Sequence, residues 1–345
     1  MDRRWRAVAG CGFIGLIFLF VQLGALALVD PFQTAGYQAV EDPSDPTNSL
    51  VYVGAILVAT AGMLLAFRYD ADQLIRGVIV FSGAWLSLYV FRVLVPPVVT
   101  VSGFNVVAIG LATLLGVGLL VHPEWYVIDA AGAVMGAAAA GLFGISFGLL
   151  PALLLLSVLA VYDAISVYGT EHMLTLASGV MDLKVPVVLV IPLTLSYSFL
   201  DATTPDPTAD DTEEAADDDG DVTEAKTGGE TDGDESTESE MAAGPLERDA
   251  LFIGLGDAVI PSVLVASAAF FAPAGIATVA GVPLPAVSAM VGTFVGLAIL
   301  LWMVLKGRAH AGLPLLNGGT IAGYLLGATV AGIGLVDAVG LGPYL

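Results

Sequence analysis

The chain has 345 residues, of which 57% are hydrophobic and only 13% are charged. Soluble domains carry about 25% charged residues, so this balance excludes an ordinary soluble protein and favours one embedded in a membrane. The formal net charge of −22 is concentrated, because residues 201–250 hold 19 of the 33 acidic residues and two of the 11 basic ones. The acidity therefore describes one segment and says little about a cationic partner.

Apolar runs long enough to cross a bilayer as helices recur along the chain. The first run follows a cluster of arginines and is long for a cleaved signal, so we interpret it as a retained span. The predicted spans are 7–29, 50–67, 74–95, 103–121, 128–146, 149–169, 251–272, 284–305 and 314–338. These runs predict an all-α membrane protein with nine transmembrane helices.

The distribution of lysine and arginine predicts how these spans are oriented, because cytoplasmic segments are enriched in both residues. If the N-terminus is cytoplasmic, ten of the 11 basic residues fall in inside segments. The exception is Arg92, near the outer end of the third span, from where its long side chain could reach the interface. The sequence therefore predicts a cytoplasmic N-terminus and an outside C-terminus.

Two unlike segments separate the sixth and seventh spans. Residues 186–199 are apolar, rich in β-branched residues and too short to span as a helix, which favours an extended strand or an interfacial piece. The acidic tract that follows cannot bury a core and is predicted to be disordered. The chain thus divides into an N-terminal membrane half (1–199), an acidic cytoplasmic loop (200–249) and a C-terminal membrane half (250–345).

Two aspartates lie within predicted spans, Asp163 in the sixth and Asp257 in the seventh. An ionisable group in a membrane span costs about 2.5–3.5 kcal/mol and usually marks function. The sixth span runs inward and the seventh outward, so each aspartate lies about six residues, or roughly 9 Å, below the cytoplasmic interface. Two carboxylates at one level on adjacent helices are what an acid pair requires.

The chemistry of such a pair follows from proximity. Two carboxyls that share a site cannot both ionise easily, so the pair would hold one proton. The ionised member can take a proton from water while the protonated member polarises an amide carbonyl, which gives hydrolysis without an acyl-enzyme. Gly254 and Gly256 would permit close backbone approach beside the acid, and Pro261 could bend the helix.

The same two aspartates would also suit a proton-coupled transporter, or a buried polar pair without catalysis. Transporters often show repeated halves with interrupted helices in matching positions. No internal repeat is evident in this chain, so the transporter remains the second hypothesis.

The context of the aspartates adds a resemblance. With Gly254-Leu255-Gly256-Asp257, Tyr162-Asp163 and Leu313-Pro314, most of the chain resembles the presenilin and signal peptide peptidase family, which is composed of intramembrane aspartyl proteases. The resemblance implies that Asp163 and Asp257 are catalytic, that transmembrane segments are the substrates, and that neither a cofactor nor a metal is needed. It also implies a group of residues that line or shape the substrate site: Tyr162, Gly254, Leu255, Gly256, Leu313 and Pro314.

The resemblance has further implications and one departure. The family pattern Pro-Ala-Leu-Pro reads Ala311-Gly312-Leu313-Pro314 here, which leaves a catalytically silent member open as an alternative. Residues 186–199 resemble the family segment in which an extended edge pairs with an unwound substrate strand. The acidic loop and the lack of extra domains resemble an archaeal relative, so we expect an archaeal cell membrane as the location.

Other catalytic interpretations have less support. A prepilin-peptidase-type protease also uses a Gly-x-Gly-Asp motif, but proteins of that type are shorter and have fewer spans than the nine predicted for this chain. Gly144-Ile-Ser146-Phe-Gly148 matches a serine nucleophile elbow, yet it falls between apolar helices, and His122, His172 and His310 are scattered. The sequence has no His-Glu-x-x-His zinc motif and no nucleic-acid-binding patch.

Overall fold

The computed structural model of the chain describes residues 3–69, 71–168, 186–194, 197–200, 250–306 and 311–344. The acidic tract predicted to be disordered lies outside these ranges. The helices are α1 (Arg3–Thr34), α2 (Thr47–Arg68), α3 (Asp72–Leu94), α4 (Val106–Val121), α5 (Trp125–Ser146), α6 (Leu149–Tyr168), α7 (Leu255–Phe270), α8 (Leu284–Val304), α9 (Gly312–Val330) and α10 (Leu335–Ala338), followed by a 3-10 turn at Gly342–Tyr344.

These helices follow the apolar runs because a chain in lipid must satisfy its backbone hydrogen bonds internally. Seven helices of the described ranges are long and apolar enough to cross a membrane, namely all of α1 to α9 except α4 and α7. The remaining two are apolar but only 16 residues long. The prediction of a multi-spanning helical membrane protein is therefore confirmed.

Short antiparallel strands interrupt the helices at three places. β1 (Thr100–Val101) pairs with β2 (Phe104–Asn105), and β5 (Thr278–Val279) pairs with β6 (Val282–Pro283). The third pair joins the two halves of the chain, because β3 (Val188–Pro192) lies against β4 (Ala250–Gly254). Its register runs from Val188 opposite Gly254 to Pro192 opposite Ala250.

Strand β3 lies within residues 186–199, where the sequence predicted an extended strand or an interfacial piece. The predicted seventh span is wrong at its start. The helix begins at Leu255, and the four residues from Leu251 to Gly254 belong to strand β4. Hydropathy alone cannot separate a short buried strand from a helical end. Gly254 and Gly256 are also poor helix formers, and β3 supplies hydrogen bonds that a helix would otherwise have to provide.

The ninth predicted span is likewise shorter than expected. Helix α9 ends at Val330, and Gly332 follows with a left-handed φ of 82° that reverses the chain. The residues up to Ala338 form the separate short helix α10. Tyr324 ties the two together, because its hydroxyl donates a hydrogen bond of 2.7 Å to the carbonyl oxygen of Ala338.

Helix α5 forms the centre of the bundle. In its most apolar stretch 72% of the residues are buried, whereas the corresponding figure for α2 is zero. Small residues make this possible, since Gly136 of α5 faces Leu255 and Val259 of α7, and Gly144 leaves no room for a methyl group beside Ala266. In lipid, such small residues let helices approach closely enough for dispersion forces to hold them.

Helices α8 and α9 pack closely against each other. Glycines on both helices face the partner helix, so that a Cβ atom added at any of them would overlap the atoms opposite: Gly292, Gly296, Gly319, Gly323 and Gly327. We call this contact the glycine seam. A buried hydrogen bond of 2.7 Å between the Thr293 and Thr320 hydroxyls adds a polar link. The seam fixes where α9 lies along α8.

Two neighbouring glycines of α9 allow a matched test of the seam. A methyl group at Gly319 would overlap the carbonyl oxygen of Gly292, whereas a methyl group at Gly318 meets nothing within 4 Å. We expect Gly319→Ala to destabilise the protein by about 1–3 kcal/mol, as overpacked sites do, and Gly318→Ala to be neutral or slightly stabilising. Thermal unfolding in detergent would measure this, and equal melting temperatures for both variants would contradict it.

Candidate active site

Asp163 lies on α6, five residues before the end of that helix at Tyr168. Its side chain is only 6% exposed. The backbone N–H of Leu313, at the start of α9, donates a hydrogen bond of 3.0 Å to its Oδ2 atom. A backbone N–H donor favours the ionised form of a carboxyl group.

Asp257 is the third residue of α7, directly after strand β4, and its side chain is partly exposed. The backbone of Gly312 packs against it, because a Cβ atom added at Gly312 would lie 3.1–3.2 Å from the atoms of the carboxyl group. The next residue, Leu313, donates to Asp163, so two consecutive residues of α9 contact the two carboxyl groups. The structure therefore brings together the two aspartates that the sequence singled out.

The first residues of α9 lie between the two acidic side chains. Besides the contacts of Gly312 and Leu313, the N–H of Ala311 donates a hydrogen bond of 3.3 Å to the Tyr168 hydroxyl of α6. The N–H groups of a first helical turn have no partners within the helix and carry a partial positive charge, which suits carboxylates. Pro314 has no N–H, but at the third helical position that group would have been free anyway.

One turn further along α9, Asn317 ties this helix to α6. Its Nδ2 atom donates a hydrogen bond of 2.9 Å to the carbonyl oxygen of Leu156, and its side chain is fully buried. The Oδ1 atom of the same side chain has no partner among the described residues. Together with the glycine seam on the opposite side of α9, this bond holds the start of α9 at the aspartates.

The Gly254-Leu255-Gly256 segment is placed beside Asp257, although not for the expected steric reason. Leu255 is buried, and its N–H donates a hydrogen bond of 2.7 Å to the Val187 carbonyl. A Cβ atom at Gly254 would lie at an ordinary 3.6 Å from Asp257, and one at Gly256 would meet nothing within 4 Å. Neither glycine is therefore required for close packing within this chain. Because both lack a side chain, they leave open space next to the Asp257 carboxyl group.

Two further residues named from the sequence are near the site without a polar contact to it. Tyr162 precedes Asp163 and is half-buried, and its hydroxyl forms no hydrogen bond with the described part of the chain. Pro261 lies inside α7, one turn after Asp257, where it is buried.

Sequence reasoning missed two residues that fix the start of α9, namely Tyr168 of α6 and Asn317 of α9. A polar amide in an otherwise apolar span is a signal that could have identified Asn317. Tyr168 carries no such signal, because aromatic residues are common at the ends of spans.

Among the described residues, Ser146 has no histidine beside it that could activate it as a nucleophile. The Ser146 hydroxyl accepts a hydrogen bond of 2.9 Å from the N–H of Ala39, so it fastens a loop. His122 precedes the opposite end of the 22-residue helix α5, about 33 Å away at 1.5 Å per residue. His172 and His310 lie outside the described residues.

Comparisons with known proteins identify the family of this chain. The model of the family described as "Signal-peptide peptidase, presenilin aspartyl protease" matches residues 15–333. A solved structure of a presenilin family intramembrane aspartate protease, in space group C222, is 30% identical with a TM-score of 0.61, and the match covers 93% of this chain and 99% of that one.

A second structure described in the same words, in space group P2, is also 30% identical, with a TM-score of 0.57 and coverage of 92% and 96%. No curated protein sequence matches the chain. Because the family match spans most of the chain, the protein belongs to the signal peptide peptidase and presenilin family and is an intramembrane aspartyl protease.

Proposed function

We propose that Asp163 and Asp257 are the catalytic pair and that they hydrolyse peptide bonds in transmembrane segments near the cytoplasmic face. One observation carries this proposal: a single short segment contacts both carboxyl groups, through the Leu313 N–H on Asp163 and the Gly312 backbone on Asp257. Among the described residues, no contact favours a transporter or the other alternative functions.

The hydrogen bonds suggest different roles for the two acids. Asp163 receives a backbone N–H and faces a helix N-terminus, whereas Asp257 has no hydrogen-bond donor among the described residues. In our proposal the shared proton therefore belongs to Asp257, which donates it towards the scissile carbonyl oxygen. Ionised Asp163 takes a proton from the attacking water, which gives a gem-diol intermediate. Asp163 then passes its proton to the departing amine, and Asp257 recovers one from the gem-diol as the carboxylic acid forms.

A substrate helix must unwind before its peptide bond is accessible, and the unwound backbone then needs hydrogen-bond partners in the membrane. The edge of β4 that points away from β3 suits this need. The Leu255 N–H donates to the Val187 carbonyl, so these two residues form a hydrogen-bonded pair across the strands. Such pairs alternate along an antiparallel ladder, so the N–H and C=O of Phe252 point away from β3. No described residue forms a hydrogen bond with these two groups. Strand addition at this edge would carry a substrate towards Asp257, three residues beyond Gly254.

This assignment refines the expectation from the sequence, which placed the substrate-pairing edge within residues 186–199. That segment does supply β3, but β3 already uses one edge for β4. The open space at Gly254 and Gly256 lies along the same path, next to Asp257. We propose that these glycines keep room for the substrate backbone.

For the membrane arrangement we propose nine spans with a cytoplasmic N-terminus, an outside C-terminus, and an acidic cytoplasmic loop over 200–249 between two membrane halves, in an archaeal cell membrane. The 16 residues of α4 and of α7 each extend about 24 Å, close to the hydrocarbon thickness once flanking residues are included. The distribution of lysine and arginine supports the orientation.

The catalytic pair is tested by isosteric substitution. We expect Asp163→Asn and Asp257→Asn each to abolish cleavage of a transmembrane substrate, because an amide can neither hold nor share the proton. Asp72→Asn, on an exposed aspartate at the start of α3, is the control and should cleave like wild type. Product formation from a fluorescent transmembrane peptide in detergent is the measurement. Cleavage that persists in either catalytic variant would refute the assignment, and so would a wild type that cleaves no substrate.

The replacement of the family alanine by Gly312 also has a measurable consequence. An alanine methyl would lie 3.1–3.2 Å from the Asp257 carboxyl group, so this group must shift by a few tenths of an ångström. We expect Gly312→Ala to change kcat by less than about tenfold and Gly312→Leu to reduce it by at least about 100-fold, since small displacements at a reacting centre are costly.

Gly318→Leu, one turn and a half further along α9 and facing open space, is the matched control for the larger side chain. It should retain wild-type kcat. If Gly312→Leu kept full activity, Gly312 would not lie against a catalytic carboxyl group.

The orientation is tested by labelling engineered cysteines in intact cells after Cys11→Ser. Glu41→Cys in the α1–α2 loop should react with a membrane-impermeant maleimide from outside. Asp72→Cys at the start of α3 should react only after lysis. The reverse pattern would show that the proposed orientation is inverted.

A further inference from the structure

Asp129 is a buried acidic side chain that the proposed mechanism does not use. It lies on α5, four residues after the helix begins at Trp125, and its side chain is only 5% exposed. Its Oδ1 atom accepts a hydrogen bond of 2.8 Å from the Val190 N–H of β3, whereas Oδ2 is buried without a partner among the described residues. A buried carboxyl group with an unsatisfied oxygen is destabilising, so stability alone does not account for an aspartate here.

The hydrogen bond adds direction to a contact that is otherwise apolar. The side chains of β3 are already well packed, because Leu189, Val190 and Ile191 are at most 1% exposed. Apolar contacts hold β3 in the bundle but have little directional preference of their own. A hydrogen bond has narrow limits of distance and angle, so the bond from Val190 to Asp129 fixes where β3 lies along α5.

The same face of α5 also contacts the start of α7. Gly132 and Gly136 follow Asp129 by three and seven residues, which places all three on one side of the helix. A Cβ atom added at Gly132 would lie 3.1 Å from a methyl carbon of Leu189 on β3 and 3.7 Å from one of Leu255, and one added at Gly136 would lie 3.2 Å from Leu255. We call this face, formed by Asp129, Gly132 and Gly136, the hairpin seat.

The position of the hairpin passes to Asp257 along the backbone. β3 and β4 pair over five residues, and the Val187 carbonyl extends the pairing by accepting a hydrogen bond of 2.7 Å from the Leu255 N–H. β4 runs into α7 without a loop, and Asp257 follows Leu255 by two residues in the first helical turn. Asp163 lies on a different helix, α6. A shift of β3 along α5 would therefore move Asp257 relative to Asp163.

We infer that Asp129 is a positioning residue for the catalytic pair. Its hydrogen bond to Val190 sets the place of the β3–β4 hairpin on the hairpin seat and, through the hairpin, the place of Asp257 against Asp163. This inference rests on the proposed function, in which Asp257 is catalytic. Asp129 itself transfers no proton. A displacement of about 1 Å at a reacting centre can cost about 100-fold in rate, so loss of this bond should be measurable in a folded protein.

Kinetics test the inference with two substitutions at one position. Asp129→Ala removes the acceptor, and Asp129→Asn keeps an acceptor oxygen for the Val190 N–H. We expect Asp129→Ala to lower kcat at least about tenfold with KM changed less than about threefold, because the displaced acid acts after the substrate is bound. Asp129→Asn should keep kcat within about threefold of wild type. Cleavage of a fluorescent transmembrane peptide in detergent is the measurement.

Ser146→Ala is the matched control. Ser146 lies at the other end of α5, is 1% exposed, and also accepts a single backbone hydrogen bond, of 2.9 Å from the Ala39 N–H. Its removal takes away a comparable buried bond from the same helix without touching the hairpin seat. The Ser146→Ala protein should therefore keep wild-type kcat.

A second measurement does not depend on how much of the protein is active. The probe is a peptide with a hydroxyethylene group in place of one peptide bond, which mimics the gem-diol and engages both carboxyl groups. A mimic of this kind loses affinity when the acids are misplaced, because it binds as the transition state does. Its Kd should rise at least about tenfold in Asp129→Ala and stay near the wild-type value in Asp129→Asn and Ser146→Ala.

Hydrogen exchange tests the structural link without a substrate. The Val190 amide should exchange at least about tenfold faster in Asp129→Ala, because its acceptor is gone and the hairpin opens more often. The Leu255 amide should also exchange faster, whereas the Phe271 amide, bonded to the Ser267 carbonyl at the other end of α7, should not change. Acceleration confined to Val190 would show that the hairpin does not carry the effect to α7, and would overturn the inference.

Gly132→Val tests the same contact if Asp129→Ala fails to fold. The added side chain pushes against Leu189 and Leu255, so it should also lower kcat and raise the Kd of the hydroxyethylene peptide. Wild-type kcat and Kd in folded Asp129→Ala, or in Gly132→Val where the alanine variant does not fold, would overturn the inference. Failure of the proposed function would instead appear as cleavage by Asp257→Asn protein, on which the exchange measurement does not depend.

Discussion

The hydrogen bond from the Leu313 N–H to Asp163 is the contact on which the rest of the site depends. Two carboxyl groups inside a membrane repel each other when both are ionised, and an ionised carboxylate there also loses its hydration, so a fixed hydrogen-bond donor helps the pair to share one site. The start of α9 supplies that donor and, through Gly312, also touches Asp257. One helix end thereby sets the relative positions of side chains from α6 and α7.

This constraint explains features that are far from the carboxyl groups. The start of α9 can serve both acids only if the helix neither slides nor tilts, and apolar area alone holds helices weakly in lipid. The glycine seam lets α9 lie backbone-to-backbone on α8, and Asn317 binds the carbonyl of Leu156 on α6. The orphaned Oδ1 of Asn317 is consistent with a side chain retained for alignment at some cost in stability.

Much of this arrangement could be predicted from the sequence, because the bilayer imposes simple rules. The helices followed from apolar length, and the two aspartates stood out as charges where lipid tolerates few. What could not be predicted depends on which helix meets which. The Gly312 contact and the Tyr168 hydrogen bond need the packed bundle, and a glycine in an apolar span gives no indication of the atom that it faces.

The start of the seventh span shows why hydropathy misleads at a functional site. Residues 250–254 are apolar enough for a helix, yet they form a strand that runs into α7 just before Asp257. A helix there would satisfy its own backbone, whereas a strand leaves one edge unsatisfied and so needs a partner. In the proposed function, a strand joined directly to the helix that carries Asp257 would bind an unwound chain and place its peptide bond in one step. The same apolar residues that imitate a membrane span therefore provide what a continuous helix could not: a strand edge directly before Asp257, where we propose that hydrolysis occurs.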